Sequence, residues 1–125
     1  LNMLEEVTLA SMLGKGLNGD PTFLSPSELL EMSCRNGAQA QGRADCGALE
    51  VGNRADIVVY DLDRSHLVPT YDVLPNIFYA AATSDICLNM IDGEVVFWDG
   101  VLTRIDEERV KAEARSRAAR ILSEL

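Results

Sequence analysis

The spacing of apolar residues changes period once along the chain, and that change divides it. Over Met3 to Leu13 apolar side chains stand at 3, 4, 7, 9, 10, 12 and 13, a broad helical stripe suited to packing on a sheet. The opening Leu1-Asn2-Met3-Leu4-Glu5-Glu6-Val7 reads as the interior of such a helix, so the chain is expected to begin within a longer protein. Gly14 and Gly16 are expected to end this helix, and Asn18-Gly19-Asp20-Pro21 to turn the chain. A second helix has a clear start: Ser25 as cap, Pro26 at the first helical position, and Glu28 completing a Ser-x-x-Glu capping box. It runs through Leu29, Leu30 and Met32 toward an expected end at Asn36-Gly37. The two helices together look like a layer that covers something else.

From Gly47 onward the period is two. Gly47 to Gly52 reads as a short extended stretch closed by a glycine turn. Ala55 to Leu62 is the strongest strand, and its run Ile57-Val58-Val59 predicts burial on both faces. Ile86 to Ile91 is a second strand, Asp92-Gly93 a type I′ hairpin signal, Glu94 to Trp98 the return, and Asp99-Gly100 another corner before Val101-Leu102-Thr103. Asp106 caps a last helix with Glu107 and Glu108 in its first turn. Val110, Ala114, Ala118, Ile121 and Leu125 fall on one face of it.

Composition narrows the classes. The 125 residues are 47% hydrophobic, enough for one domain with a core, and no apolar run nears the length of a membrane span. Eleven basic against twenty acidic residues give a net charge of −9, which repels phosphate backbones and anionic lipid. Neither nucleic acid nor membrane is therefore an expected partner, and a cytoplasmic setting is expected. Cys34, Cys46 and Cys87 form no closely spaced pair of zinc-knuckle type and read as free thiols.

Candidate chemistry is sparse. Gly14-Lys15-Gly16-Leu17-Asn18-Gly19 spells the G-x-G-x-x-G pattern, but a helix precedes it and Asp20-Pro21 follows, so no helix N-terminus is offered to a pyrophosphate. His66, the single histidine, stands beside Pro69 and Tyr71 and reads as a loop residue that packs or hydrogen-bonds. Asp61 and Asp63, at a strand end, read as solvated or turn-forming. Ser25, Ser65 and Ser84 lack a nucleophile-elbow context. Phe78, Tyr79, Phe97 and Trp98 sit in apolar patterns and are expected in the core. No catalytic, cofactor-binding or metal-binding residue is assigned within the chain.

The order of the motifs nevertheless resembles a known family. Gly47-Ala48-Leu49-Glu50-Val51-Gly52-Asn53-Arg54-Ala55-Asp56-Ile57-Val58-Val59 is similar to the G-x-L-x-x-G-x-x-A-D-[LIV]-[LIV]-[LIV] segment near the C-terminus of amidohydrolase-superfamily enzymes. Met90 to Val96 and Asp99-Gly100 resemble the strand, Asp-Gly turn and strand that follow it, and Asn36 to Gly42 resembles its N-G-A-x-A-x-G helix exit. His66 to Asp72 and Asn76 to Ala81 look most like the chlorohydrolase-like and adenosine-type aminohydrolases, which include S-adenosylhomocysteine and methylthioadenosine deaminases. Asn2 to Glu6 is similar to the helix after their last barrel strand.

The resemblance implies an α+β fragment of a metal-dependent (β/α)8-barrel enzyme with a small composite β-sandwich. Residues 1–46 would be the terminal helical part of the barrel, 47–62 and 86–104 sandwich strands, 63–85 a connecting loop and short helix, and 105–125 a C-terminal helix. Zinc or iron would sit on an H-x-H pair, two further histidines and an Asp, all outside this sequence, and would lower the pKa of an attacking water. The whole enzyme is expected to hydrolyse a C–N or C–Cl bond on a purine- or triazine-like ring; the fragment alone is expected to hold no cofactor and to be inactive. Its partners are expected to be the missing N-terminal portion of the same enzyme or further copies, as a homo-oligomer or domain swap. The alternatives are a cyclic amide or imide hydrolase of the same superfamily and a stand-alone non-catalytic assembly module.

Overall fold

The computed structural model describes residues 2–124, which form a small helical layer beside a four-stranded antiparallel sheet. In chain order the elements are α1 (Met3–Asn18), α2 (Pro26–Glu31), a π-helical turn (Met32–Asn36), α3 (Gly37–Ala40), β1 (Ile57–Tyr60), α4 (Val73–Tyr79), a 3-10 turn (Thr83–Asp85), β2 (Ile86–Ile91), β3 (Glu94–Trp98), β4 (Val101–Leu102) and α5 (Glu107–Ser123). The placements of Leu1 in a helix interior and of Leu125 on the last helix lie outside the described residues. Asn2 is the extended N-cap of α1, which begins at Met3.

Glycine does not end α1 where the sequence suggests. The helix runs through Gly14 and Gly16 to Asn18, and Gly19 takes the left-handed cap at φ +61. Gly14 is kept bare for packing instead: a Cβ there would stand 2.6 Å from the Phe23 ring. The capping box of α2 forms as the pattern predicts, with Ser25 N–H donating to Glu28 Oε2 at 2.7 Å. This second helix does not end at Asn36-Gly37 but passes through the π turn into α3. Within it the Ser33 hydroxyl donates to the Leu29 carbonyl at 2.8 Å, a side-chain bond that competes with the regular ladder.

The core joins the helices and is small. Among the described residues Val7 of α1, Leu29 of α2 and Phe78 of α4 form the buried cluster, flanked by the partly buried Leu4, Leu24 and Leu74. Leu67 is buried as well. Thr8 Oγ1 adds a tie from α1 to α4, donating to the Phe78 carbonyl at 2.7 Å. The rest of the α1 stripe, including Met3, Leu9, Met12 and Leu13, is exposed. A helix apolar on most of its circumference is one built to be enclosed.

The sheet follows the predicted meander, in the order β1-β2-β3-β4, with each neighbouring pair antiparallel. At both Asp-Gly corners each residue has positive φ: Asp92 +51 and Gly93 +81, then Asp99 +42 and Gly100 +86, as a primed turn requires. Three expectations fail. Gly47 to Gly52 forms turns rather than a strand, because Gly47 (φ +83) and Gly52 (φ +99) both leave the extended region. The first strand is shorter than Ala55–Leu62, covering Ile57–Tyr60, and Val58 and Val59 are exposed, since β1 is an edge strand with no covering layer among the described residues. Of the four aromatics expected in the core Phe78 is buried, whereas Tyr79 is 40% and Trp98 54% exposed.

The accessible surface totals 9164 Å², against roughly 6,600 Å² for a folded monomer of this mass. The excess, about 2,600 Å², is as large as one side of a very large obligate interface. Leu17, Leu49, Val51 and Leu122 are among the apolar side chains left largely in solvent.

The Gly47 contact sets a direct test of how the loop after α3 is held. A Cβ at Gly47 would meet Cys34 O at 2.7 Å and Arg35 Cα at 2.9 Å, both backbone, while one at Gly52 would meet open space. Gly47→Ala is expected to lower stability by about 2–4 kcal/mol and Gly52→Ala by about 1 kcal/mol, through backbone strain alone in the second case. Urea titration reads both, and equal losses would show that the close approach at Gly47 contributes nothing.

Candidate functional site

The motif Gly47 to Val59 turns out to be a joint. Asp56, just before β1, accepts a hydrogen bond from the Asp92 backbone N–H at 2.8 Å and one from the Arg43 guanidinium at 3.1 Å. These contacts, the backbone N–H first, hold its carboxyl below the usual aspartate range. Arg54 reaches Asp45 at 2.7 Å and Asp92 at 3.1 Å, and Gly93 N–H donates to the Ala55 carbonyl at 3.1 Å. Asn53 Nδ2 closes the intervening loop on the Ala48 carbonyl. Ala-Asp therefore pins the Asp-Gly hairpin between β2 and β3 to the segment leaving α3.

A groove of about 300 Å³ opens between α1 and the chain following α4. Leu4, Thr8 and Met12 form one wall, and Phe78, Ala82 and Thr83 the other. The Asn2 amide oxygen at its rim is buried and accepts no hydrogen bond among the described residues. Tyr79, on the same rim, accepts from Lys15 Nζ at 2.6 Å and lies 3.3 Å from the buried Ser11 hydroxyl. Lys15, and secondarily Ser11, hold the Tyr79 hydroxyl below the usual tyrosine range, and the ammonium lies 4.6 Å from the ring centroid. The Gly-Lys-Gly part of the apparent dinucleotide pattern is thus interior helix, with its lysine committed to a tyrosine.

Behind the groove wall sits a buried carboxylate. Asp85 accepts from the Ala82 backbone N–H and from His66 Nε2, both at 2.8 Å. The backbone donor first, and then His66, hold its carboxyl below the usual range. His66 thus hydrogen-bonds in a loop, as its sequence context implies, and fixes the turn that carries Ala82 and Thr83. Asp61 and Asp63 form a turn: the Asp61 carboxylate accepts from the Asp63 N–H at 3.0 Å and pairs with Arg64. Ser25 is a helix cap, and the three cysteines are free thiols. Burial first, with Asp45 and Asp56 alongside, pushes the Cys46 thiol up and makes it a poor nucleophile.

Sequence reasoning missed Asp85 and the Ser11–Lys15–Tyr79 cluster. Ser11 stands one helical turn after Val7 inside an apolar stripe, and that spacing was the available signal. No comparable pattern marks Asp85, which gains its role from a turn. Among the described residues no three His, Cys, Asp or Glu side chains converge to hold a metal ion, so the residues present do not fit a zinc centre. The contacts in place shape and support the groove wall.

Because the folded state holds Asp85 below its unfolded value of about 3.9, this carboxylate stabilises the fold above that pH and loses its effect as pH falls through the folded value. Asp85→Asn is expected to be less stable than the native chain at pH 7, and the gap to close below about pH 4. Thermal midpoints across pH 3–7 check this; a gap independent of pH would remove the charge from the account.

Comparison with known proteins places the fold. Residues 1–96 match the description of the Amidohydrolase family. The chain is 40% identical over 123 residues to the 5-methylthioadenosine/S-adenosylhomocysteine deaminase of Pelotomaculum thermopropionicum, covering 98% of this chain and 28% of that protein. A zinc-bound adenosine deaminase from Xanthomonas campestris superposes with a TM-score of 0.92 at 31% identity, covering 97% of this chain and 28% of its own. Atrazine chlorohydrolase from Arthrobacter aurescens, complexed with zinc, gives 0.81 at 29% identity, over 90% of this chain and 25% of its own. The chain therefore spans little more than a quarter of the length of the proteins it matches. With the match running through both the helical layer and most of the meander, the chain belongs to the amidohydrolase family.

Proposed function

We propose that this chain is the C-terminal portion of a metal-dependent hydrolase that releases ammonia or chloride from a purine- or triazine-like ring. The observation that carries the reading is the superposition on a zinc-bound adenosine deaminase, near-complete for this chain but only 28% of that one. The surface left uncovered by the chain's own residues supports it, as do relatives described as deaminases of thioadenosine-type substrates. Zinc, or iron, would be held by residues supplied from the rest of the enzyme, and would furnish the activated water.

In this reading residues 1–46 close the helical shell of the barrel. Segments 47–62 and 86–104 contribute strands to a small composite sandwich, joined by 63–85, and 105–125 ends the chain as a helix. The Asp56 joint fixes the sandwich strands against the shell, and the His66–Asp85 pair stiffens the wall of the α1 groove. No residue of the chain is assigned to the reacting atoms. The enzyme would work in the cytoplasm, and the chain taken alone would pair with itself or with the missing portion.

Ammonia release measured on 5′-methylthioadenosine, S-adenosylhomocysteine, 5′-deoxyadenosine and adenosine, with chloride release on a chlorotriazine, tests the reading. The intact gene product is expected to turn over at least one of these and to lose activity to a chelator, while the 125-residue chain with added zinc stays at background. An intact protein that ignores all five and opens cyclic imides instead would overturn the ring-hydrolase assignment.

A further inference from the structure

We infer that α5 is a docking helix whose apolar stripe seats on the portion of the enzyme absent from this chain, an inference that rests on the reading just proposed. Every described residue from Val101 to Glu124 is exposed, and α5 buries nothing. Its ion pairs, Lys111 with Glu107 and Glu108 and Arg117 with Glu113, are all internal to the helix. Nothing in the described chain therefore holds α5 where it lies.

Its sequence nonetheless carries a contact face. At 3.6 residues per turn Val110, Ala114, Ala118 and Ile121 align along one side, with Leu122 at its edge. The two alanines occupy the middle of the stripe and let another element approach closely, while Val110 and Ile121 fill the ends. Ser116 lies on the opposite side with the small Ala112 and Ala119, where no larger apolar residue of the helix stands.

The occupant follows from the structural match. The superposition on the Xanthomonas campestris adenosine deaminase covers 97% of the chain with a TM-score of 0.92. Only a handful of residues can fall outside it, so the 17 residues of α5 take the same pose relative to the core as in that much longer protein. A helix without internal support that keeps a shared pose is held from outside. Nearly three quarters of that protein lies beyond the matched portion and is available to hold it. A second copy of this chain would leave the shared pose unexplained.

Hydrogen exchange of the α5 amides, in the intact enzyme and in the 125-residue chain, separates the outcomes. Protection is expected to be about tenfold or more higher in the intact enzyme. There, Ala114→Arg is expected to abolish it and Ser116→Arg to leave it unchanged. Should Ala114→Arg prevent folding, the milder Ile121→Ala is expected to speed α5 exchange while the β2–β3 hairpin stays protected. Equal exchange in the two forms, or equal effects of the two arginine variants, would overturn the inference. Protection that rises with concentration in the 125-residue chain would also overturn it, assigning the stripe to a second copy. Ammonia release by the same intact sample scores the hydrolase reading separately: an active enzyme with unprotected α5 sinks this inference alone, and an inactive one with protected α5 sinks only that reading.

Discussion

The carboxylate of Asp56 is the point on which the two halves of the structure meet. By accepting the Asp92 N–H and the Arg43 guanidinium together, it joins the β2–β3 corner to the segment that leaves the helical layer. Arg54 doubles the tie through Asp45 and Asp92. Exposed ion pairs of this kind are screened by solvent and add little to stability, so they orient the sheet more than they hold it. Cohesion within the helices comes from Leu29, Val7 and Phe78, where truncating one buried side chain costs about 2–5 kcal/mol. Polar contacts thus set the geometry, and a small apolar cluster supplies most of the stability.

That balance leaves the chain short of burial. Its surface exceeds that of a self-sufficient domain by about 2,600 Å², and the excess is concentrated on features that a core would use. The outer side of α1, the valines of β1, Trp98 and the loop carrying Leu49 and Val51 all present apolar atoms to solvent. The unpaired outer edges of β1 and β4 add backbone donors and acceptors to the same list of unmet needs. The chain spans little more than a quarter of the length of the proteins it matches, and the reading proposed above would cover these features with the rest of the enzyme.

Legibility in the sequence followed the range of the interactions involved. The capping box at Ser25, the Asp106 cap and the Asp-Gly corners were readable because each is settled within a few residues. The family segment was readable because Gly47 and Gly52 take positive φ and its Ala-Asp pair hydrogen-bonds to backbone. Errors arose where a distant neighbour decided. Gly14 stays in α1 because Phe23 takes the space beside it, and Gly47 leaves the extended region to lie against Cys34 and Arg35. Val58 and Val59 read as doubly buried because an apolar run does not reveal that β1 lies at the edge of the sheet. Asp85 was invisible because a buried carboxylate in a turn has no period.

These residues present a surface shaped to be covered. Sedimentation of the 125-residue chain over a range of concentrations, with binding of an apolar-surface dye followed in parallel, tests it most directly. Concentration-dependent association and strong dye binding are expected. A monomer with a radius of gyration of about 14 Å, unchanged across the range and dark to the dye, would contradict it.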